Sequence, residues 1–305
     1  MANSVHLRIR KLPTGLGSYP RVLFTSRPPV TEIGEPSEYH ASVSGVVLSD
    51  ARVRRYSAVC GFGAGVPTTY PHVLSTPLHL QIFACSDFPL RPMGLIHLSN
   101  VIEKLAELEP GMRVDVAVAA RNYRRTDAGL VFDIDTVISS REQPVWRETC
   151  VFLSRWPESG ERPASRPPRP PKAPRESAVL AEFDVTRRTA WDYARVSMDF
   201  NPIHLSDRAA RFFGLRGAIS HGMWTLARSL AERPVDVPPP DARLETQFLT
   251  PVQLPARVNI KQWVEDGQPK RAMCDVRTGR VHMYAYWTTA PAGARAGATA
   301  GVSAA

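Results

Sequence analysis

Three features that would place this chain in a large protein class are missing from its sequence. The 305 residues contain no run of about 18 apolar residues, so we expect no transmembrane helix. The N-terminus is basic but lacks the apolar segment of a secretory signal peptide. No two cysteines stand at C-x-x-C spacing, so we expect no metal and a reduced, cytoplasmic location. The cysteines are Cys60, Cys85, Cys150 and Cys274.

The chain also lacks the motifs that accompany nucleic-acid binding. Its formal net charge is +9, but no helix-turn-helix, zinc-finger or basic-region pattern goes with that charge. Much of the excess lies in one segment, "ERPASRPPRPPKAPRES" (161–177). We therefore expect no nucleic-acid partner, and a basic surface equally suits an anionic small molecule.

The proline- and arginine-rich segment 161–177 predicts a domain boundary. Proline at this density cannot continue a helix or a central strand, so we expect a solvated, extended linker. It separates an N-terminal domain, 1–160, from a C-terminal domain, 178–290. The small-residue segment 291–305 is expected to be a disordered tail.

The sequence of the C-terminal half predicts short helices followed by strands. Thr186 and Ser206 are candidate N-caps of two helices, and Gly214 stands just past the second. A longer helix after Ser220 carries one apolar stripe. Its members are Met223, Leu226, Ala227 and Leu230. Strand-like alternation follows in "RLETQFL", "RVNIKQWV", "RAMCDVR" and "VHMYAYW".

The N-terminal half repeats this layout. A helix is expected to begin at Thr76 and Pro77 and to run through Phe83. The strand-like stretches that follow are "LIHLSNV", "MRVDVAVAARNY", "LVFDIDTVIS" and "WRETCVFLSR". Helix followed by antiparallel strands, used twice, predicts an α+β fold in which each helix packs on a strongly curved sheet.

The segment "MDFNPIHLSD" (198–207) holds the candidate chemistry. On a continuous helix, Asp199 and His204 would point in different directions, because five residues turn the chain by about 500°. Pro202 disfavours a helical Asn201, so we expect a loop that turns both side chains toward one point. A carboxylate and an imidazole that converge can hold and activate a water, one accepting a proton and the other returning it.

The stretch "AISHGMW" supplies a second candidate element. Ser220 or His221 is expected to cap the longer helix, which places Gly222 in its first turn. First-turn N–H groups lack an intrahelical acceptor and lie at the positive end of the helix dipole. Glycine lets a substrate approach the backbone closely. The Gly222 N–H is therefore a candidate donor to an oxygen that gains negative charge.

Together these stretches resemble a known motif. "YARVSMDFNPIHLSDRAARFFGLRGAISHGM" is similar to the hydratase-2 motif of the MaoC-like, (R)-specific enoyl-CoA hydratases. That resemblance implies the hot-dog fold, here a double hot-dog in which the N-terminal copy is non-catalytic and shapes the acyl pocket. Consistent with this, Phe62 falls where the second copy has Asp199. The resemblance covers about 31 residues closely and most of the chain loosely.

The resemblance also implies residue roles. Asp199 and His204 would be the water-activating pair, and the Gly222 N–H would help to form the oxyanion hole. Asn201 would support the geometry, and Ser220 would line the pocket. His221 and Met198 complete the predicted binding residues. Met198 stands where the family has glycine, which puts a backbone angle or the room at the site in question.

The activity implied is reversible hydration of a trans-2-enoyl thioester to an (R)-3-hydroxyacyl thioester, a hydro-lyase reaction. No cofactor is expected, with coenzyme A or acyl-carrier protein entering only as part of the substrate. A homodimer of such double hot-dog chains is one option, and the sequence leaves the oligomeric state open. Two alternatives remain from the sequence: an acyl-CoA thioesterase, and a non-catalytic acyl-binding subunit of a dehydratase complex.

Two further features have structural interpretations. We expect His72, His79 and His97 to be hydrogen-bonded structural histidines, because they are scattered among apolar residues. The arginine run in "RNYRRTDAG" (121–129) is expected to be a solvated hairpin end, with contact to the phosphates of coenzyme A as the alternative.

Overall fold

The computed structural model describes residues 4–13, 19, 22, 36–156, 172–232 and 242–289. These residues form one sheet of eleven strands. The strands of the N-terminal half are β1 Ser4–Ile9, β2 Glu38–Val47, β3 Ile96–Lys104, β4 Arg113–Thr126, β5 Gly129–Ser140 and β6 Gln143–Arg155. Those of the C-terminal half are β7 Ala178–Val185, β8 Ala242–Phe248, β9 Ala256–Glu265, β10 Gln268–Asp275 and β11 Val281–Thr289.

The strand order reveals an internal two-fold arrangement. The order is β1-β2-β4-β5-β6-β3-β8-β11-β10-β9-β7, so β3 and β8 meet at the centre. They pair antiparallel from Ser99 opposite Gln247 to Glu103 opposite Arg243. On either side of that pair, β6 corresponds to β11, β5 to β10, β4 to β9 and β2 to β7. The two halves of the chain therefore share one continuous sheet, as two subunits of a dimer would.

The helices lie against this sheet. They are α1 Asp50–Cys60, α2 Pro71–Phe83, α3 Arg187–Ser197, α4 Pro202–Leu205, α5 Asp207–Phe212 and α6 Gly222–Ala231. Helix α2 packs on β2, β4 and β5, and α6 packs on β10 and β11. Helices α1 and α3 contact each other, and the rings of Tyr56 and Tyr193 lie 6.1 Å apart across that contact. The predicted repeat is thus visible as matched pairs of helices.

The predicted helix starts of the C-terminal half agree with the structure. Thr186 caps α3 and forms a reciprocal capping box with Thr189. Ser206 caps α5 by accepting a hydrogen bond from Ala209 N, and Gly214 follows with a positive φ of 79°. Helix α6 begins at Gly222 with His221 at the N-cap position. The Thr186 and Ser206 side chains satisfy N–H groups that their helices leave free, whereas the His221 side chain makes no such bond to α6.

Two expectations about local structure were wrong. Helix α2 begins at Pro71, not at Thr76, and Pro77 lies inside it. Proline at the first position costs nothing, because that N–H would have no acceptor in the helix. The segment that carries His204 is a one-turn helix, α4, and not a loop. Pro202 starts this turn, and the Asn201 side chain caps it by accepting from Ile203 N at 3.3 Å.

Four elements of the structure were not predicted from the sequence. They are helix α1 and strands β1, β2 and β7. Residues 161–171 of the predicted linker, and the predicted tail 291–305, lie outside the described residues. Among the helices that are described, none is long and apolar enough to span a bilayer. All four cysteines carry free thiols.

Candidate active site

Asp199 and His204 converge, as the sequence predicted for the pair. Asp199 Oδ2 lies 3.9 Å from His204 Nε2, and the side chains are 35% and 9% exposed. Asp199 precedes α4 and His204 lies on it, so the turn that Asn201 and Pro202 form brings them together. A separation of 3.9 Å is too long for a direct hydrogen bond. It suits one water that donates a hydrogen bond to each atom.

His204 is held with its Nε2 free. Its Nδ1–H donates to the carbonyl oxygen of Ile219 at 2.9 Å, which leaves Nε2 as an acceptor in the neutral ring. Burial lowers the pKa of His204, while Asp199 and the Ile219 carbonyl partly offset that effect. At neutral pH the imidazole is therefore uncharged and able to accept a proton.

The carboxyl of Asp199 is ionised. Burial alone would raise its pKa, but His221 and His204, the Asn201 amide and the Tyr19 hydroxyl together lower it below the ordinary value. Asn201 N donates to Oδ1 at 3.1 Å. Two proton acceptors, Asp199 Oδ2 and His204 Nε2, thus face one point at neutral pH.

His221 supports this pair rather than joining it. Its Nε2–H donates to the backbone carbonyl of Asp199 at 3.0 Å, and its ring stacks on that of His204 with centroids 3.8 Å apart. Burial, and then His204, lowers its pKa to about 3. The ring of Tyr193 on α3 also packs against the His221 ring, with centroids 5.0 Å apart. His221 is therefore a neutral, buried support of the segment that carries Asp199 and His204.

Gly222 lies at the first position of α6. An added Cβ would meet Phe248 of β8 at 3.2 Å, tighter than an ordinary contact. Ser220 is buried, and its hydroxyl has no partner among the described residues. Its backbone N–H is fixed by Val252 O at 2.9 Å. The helix start therefore offers an amide without a side chain, next to a buried hydroxyl that is free to bind.

Met198 occupies the left-handed conformation that suits glycine. Its φ is 62° and its ψ is 17° at the C-cap of α3. An L side chain costs about 1–2 kcal/mol in that region. The glycine of the family motif is therefore explained by a backbone angle, and this chain tolerates methionine there.

A cavity of about 220 Å³ opens beside Met198. It lies between α1 and α2 of the N-terminal half and the end of α3. Three arginines line it: Arg52, Arg55 and Arg195. Its lining includes Met198 but neither Asp199 nor Gly222. The cavity therefore reaches Met198, the neighbour of Asp199 in the sequence, but not Asp199 itself.

A buried ion pair lies in the N-terminal half. His72 Nδ1 is 2.8 Å from the Glu148 carboxylate, and the Asn100 side-chain amide donates to the same group at 2.7 Å. Burial alone would lower the pKa of His72, but Glu148 raises it above its ordinary value, with help from Asp199. Of the three histidines expected to be hydrogen-bonded, His72 is bonded to Glu148 and His97 to the backbone of Ser99. The Nε2 atoms of His79 and His97 lack partners among the described residues.

Neither cluster of potential metal ligands offers a full donor set. Asp199, His204 and His221 bring ligand atoms within 4.8 Å of one another, but His221 Nε2 carries the hydrogen it donates to Asp199 O. In the other cluster, the Glu148 carboxylate is occupied by His72 and Asn100. Cys150, the third member of that cluster, is buried, and burial raises the pKa of its thiol well above its ordinary value.

The arginine run 121–129 agrees with its expected structure, whereas the position of Tyr19 was not expected. Arg121 pairs with Asp135 and Arg124 with Asp133, each at 2.6 Å on the β4–β5 hairpin, which matches the hairpin interpretation. Tyr19 was not predicted at all. Its hydroxyl donates to Asp199 Oδ1 at 3.0 Å, and no local pattern in the sequence marks it.

Comparisons with known proteins identify the family of this chain. The model of the MaoC like domain matches residues 166–285. The 3-hydroxyacyl-thioester dehydratase X of Mycobacterium tuberculosis is 33% identical over 278 residues, which cover 90% of this chain and 97% of that protein. The crystal structure of HtdX from the same organism superposes with a TM-score of 0.70 at 30% identity, over 82% of this chain and all of that one.

A more distant structure bears on the fold alone. Another M. tuberculosis protein, described as a double hot-dog, aligns with a TM-score of 0.52 at 11% identity, over 86% of this chain and 97% of that one. The strand order of this chain shows the two-fold arrangement expected of such a doubled fold. This chain therefore belongs to the MaoC-like dehydratase family and has the double hot-dog fold.

Proposed function

We propose that this chain reversibly adds water to trans-2-enoyl thioesters, giving (R)-3-hydroxyacyl thioesters. The observation that carries the proposal is the 3.9 Å separation of Asp199 Oδ2 and His204 Nε2, with both atoms in proton-accepting forms. The name of the M. tuberculosis relative, a 3-hydroxyacyl-thioester dehydratase, supports the substrate class and the type of reaction.

In the hydration direction, a water lies between the two acceptors and donates a hydrogen bond to each. As its oxygen bonds to C3 of the substrate, one acceptor takes a proton from the water. The electrons of the C2–C3 double bond move toward the thioester oxygen, and the same proton is then delivered to C2. Dehydration reverses these steps, so no proton or electron is left over and no redox partner is needed.

The start of α6 would stabilise the intermediate. When oxygen adds to C3, negative charge develops on the thioester oxygen, and a fixed N–H donor aimed at that oxygen lowers the barrier. Gly222 N–H lies at the positive end of the α6 dipole. The unpartnered hydroxyl of Ser220 would bind the substrate at the same place.

The thioester carrier would enter through the arginine-lined cavity. Arg52 and Arg55 are exposed on α1, and neither forms an ion pair with any residue that the structure describes. Both line the cavity that reaches Met198. Phosphate groups bind well to guanidinium, and coenzyme A and acyl-carrier protein both carry the thioester on a phosphate-bearing arm. We propose these two arginines as the phosphate contact.

The remaining parts of the proposal concern the whole chain. The N-terminal domain, 1–160, would shape the acyl pocket, since Phe62 replaces the aspartate there. The C-terminal domain, 178–290, would hold the chemistry, joined through the linker 161–177. A homodimer and a cytoplasmic location, where free thiols persist, complete it.

Incubation of the purified protein with crotonyl-CoA tests the reaction. The proposal predicts loss of the enoyl absorbance while the thioester stays intact. Release of free thiol at the same rate would show a thioesterase instead. No change in either signal would favour the non-catalytic subunit.

A further inference from the structure

The side chain of Tyr19 reaches the candidate site from the far N-terminal end of the chain. Its hydroxyl donates to Asp199 Oδ1 at 3.0 Å, across 180 positions of sequence. The tyrosine is 8% exposed, and its ring packs edge-on against Phe200 with centroids 6.4 Å apart. The contact is thus a buried one, formed by a hydroxyl and by a packed ring.

Because of this hydrogen bond, the two carboxylate oxygens of Asp199 have different roles. Oδ1 accepts from the Tyr19 hydroxyl and from Asn201 N. Oδ2 is the oxygen nearest to His204 Nε2, and none of the described residues donates a hydrogen bond to it. Two donors on one oxygen fix the rotation of the carboxylate, so the other oxygen stays aimed at the point that it shares with His204.

The hydrogen bond also affects protonation. Burial, and then the charge of Asp199, raises the pKa of Tyr19 far above its ordinary value, so the hydroxyl stays protonated and acts only as a donor. That donation is one of the causes that lower the pKa of Asp199. The other titratable groups in electrostatic range of this carboxylate are His204, His221, Tyr193, His72, His79 and His97.

We infer that Tyr19 is a positioning residue for the reaction. It holds Asp199 in the orientation and in the ionised form that activation of water requires. This inference rests on the proposed role of Asp199 and extends it, since the half of the chain expected to be non-catalytic then supplies part of the active site.

Tyr19→Phe tests the inference, because it removes only the hydroxyl and keeps the ring on Phe200. We expect kcat for enoyl-CoA hydration to fall about tenfold, the effect of one hydrogen bond to a charged group, with KM little changed. We also expect the part of the acid limb of the pH–kcat profile that reports Asp199 to move to higher pH, since Asp199 loses a donor that lowers its pKa. A structural role alone would not move that limb.

Tyr286→Phe is the matched control. Its hydroxyl donates to Glu245 at 2.7 Å and not to Asp199, and its removal should leave kcat and the pH profile unchanged. An unchanged profile and kcat in Tyr19→Phe would overturn the inference. If Asp199→Asn were also fully active, the proposed function itself would fail. If only Tyr19→Phe were normal, the positioning role alone would fail.

Discussion

At the residue scale, the site depends on environment more than on residue type. An aspartate and a histidine are common, but here one is kept ionised by four neighbours and the other is kept neutral by burial. The motif predicted Asp199, His204 and Gly222, because all three lie within 24 residues of one another along the sequence. Tyr19 could not be predicted, because only the folded chain brings it to Asp199.

Removal of either acceptor should abolish most turnover. We expect Asp199→Asn and His204→Ala each to lower kcat about 10²–10⁴-fold, the usual contribution of a positioned acid–base group, with KM less affected. Steady-state kinetics on enoyl-CoA measures this. Asp192→Asn, which changes an α3 surface carboxylate paired with Arg195, should keep wild-type rates. Near-normal kcat in either site variant would contradict the assigned roles.

The pH dependence follows from the two lowered pKa values. Both acceptors are active in their unprotonated forms, and both pKa values lie below the ordinary ones. The rate should therefore be level through neutral pH and fall only on the acid side, with a midpoint below about pH 6.5, the ordinary pKa of histidine. A midpoint at or above that pH would show that His204 is not held neutral.

Met198 is a point of backbone strain beside the site. Met198→Gly should raise the free energy of unfolding by about 0.5–1 kcal/mol, because relief of the left-handed strain exceeds the entropy cost of glycine. Urea denaturation measures the change. Asp266→Gly is a control of the same type, with φ 53° in the β9–β10 turn. Both should be stabilised, but only Met198→Gly should alter the kinetics; lower stability in Met198→Gly would contradict the strain argument.

At the element scale, helix caps and alternating strands could be predicted from the sequence, whereas helix interiors could not. Thr186 and Ser206 were identified because cap residues have a specific local chemistry. Helix α1 was missed because its buried positions include Ser57 and Cys60 as well as Val53 and Tyr56, which does not read as an apolar stripe. The start of α2 was misplaced because two prolines compete, and only Pro71 occupies the first position.

The ion pair between α2 and β6 makes stability depend on pH. The pKa of His72 is raised, so its contribution is complete below the unfolded pKa of about 6.5 and is lost as pH rises through the folded value. Glu148 has a lowered pKa, so its contribution is lost only in acid. The wild-type free energy of unfolding should therefore decline from neutral to alkaline pH.

Glu148→Gln should remove both the contribution of the His72–Glu148 pair to the free energy of unfolding and the dependence of that contribution on pH. Loss of one partner of a buried pair costs about 3 kcal/mol, and His72 then has no carboxylate to raise its pKa. Denaturation at pH 6 and pH 8.5 compares the two slopes. Glu103→Gln changes a partly exposed β3 carboxylate 4.0 Å from Arg243, and it should change the free energy of unfolding by less than about 1 kcal/mol. An unchanged slope in Glu148→Gln would refute the pair's role.

At the scale of the whole molecule, the repeat was predictable and its joining was not. Similar orders of helix and strands in the two halves predicted two hot-dogs. The two hot-dogs are joined into one sheet by the pairing of β3 with β8. This pairing depends on contact between the edge strands of the two halves, which no local sequence pattern predicts. The arginine cavity likewise arises only where α1, α2 and α3 meet, so its residues could not be grouped from the sequence.

The arginine cavity predicts an effect that depends on the carrier. In a double Arg52→Ala, Arg55→Ala variant, KM for an enoyl-CoA should rise about tenfold or more, the loss expected for charged hydrogen bonds to phosphate, with kcat little changed. KM for the matching N-acetylcysteamine thioester, which has no phosphate, should stay the same. Parallel assays with enoyl-acyl-carrier protein show which carrier uses the contact.

Arg54→Ala is the control on the same helix, since Arg54 is paired with Asp50 and does not line the cavity. It should leave both KM values unchanged. Equal KM changes for the coenzyme A and N-acetylcysteamine thioesters in the double variant would show that the arginines do not contact the phosphates.

The fate of the water oxygen tests the central claim most directly. Turnover of an enoyl-CoA in H₂¹⁸O, followed by mass spectrometry, reports where the water that Asp199 and His204 activate has bonded. The account predicts one ¹⁸O in the C3 hydroxyl of an intact thioester, with no such product from Asp199→Asn or His204→Ala. Label found in a free carboxylate, or labelled hydroxyacyl thioester formed at normal rates by either variant, would contradict it.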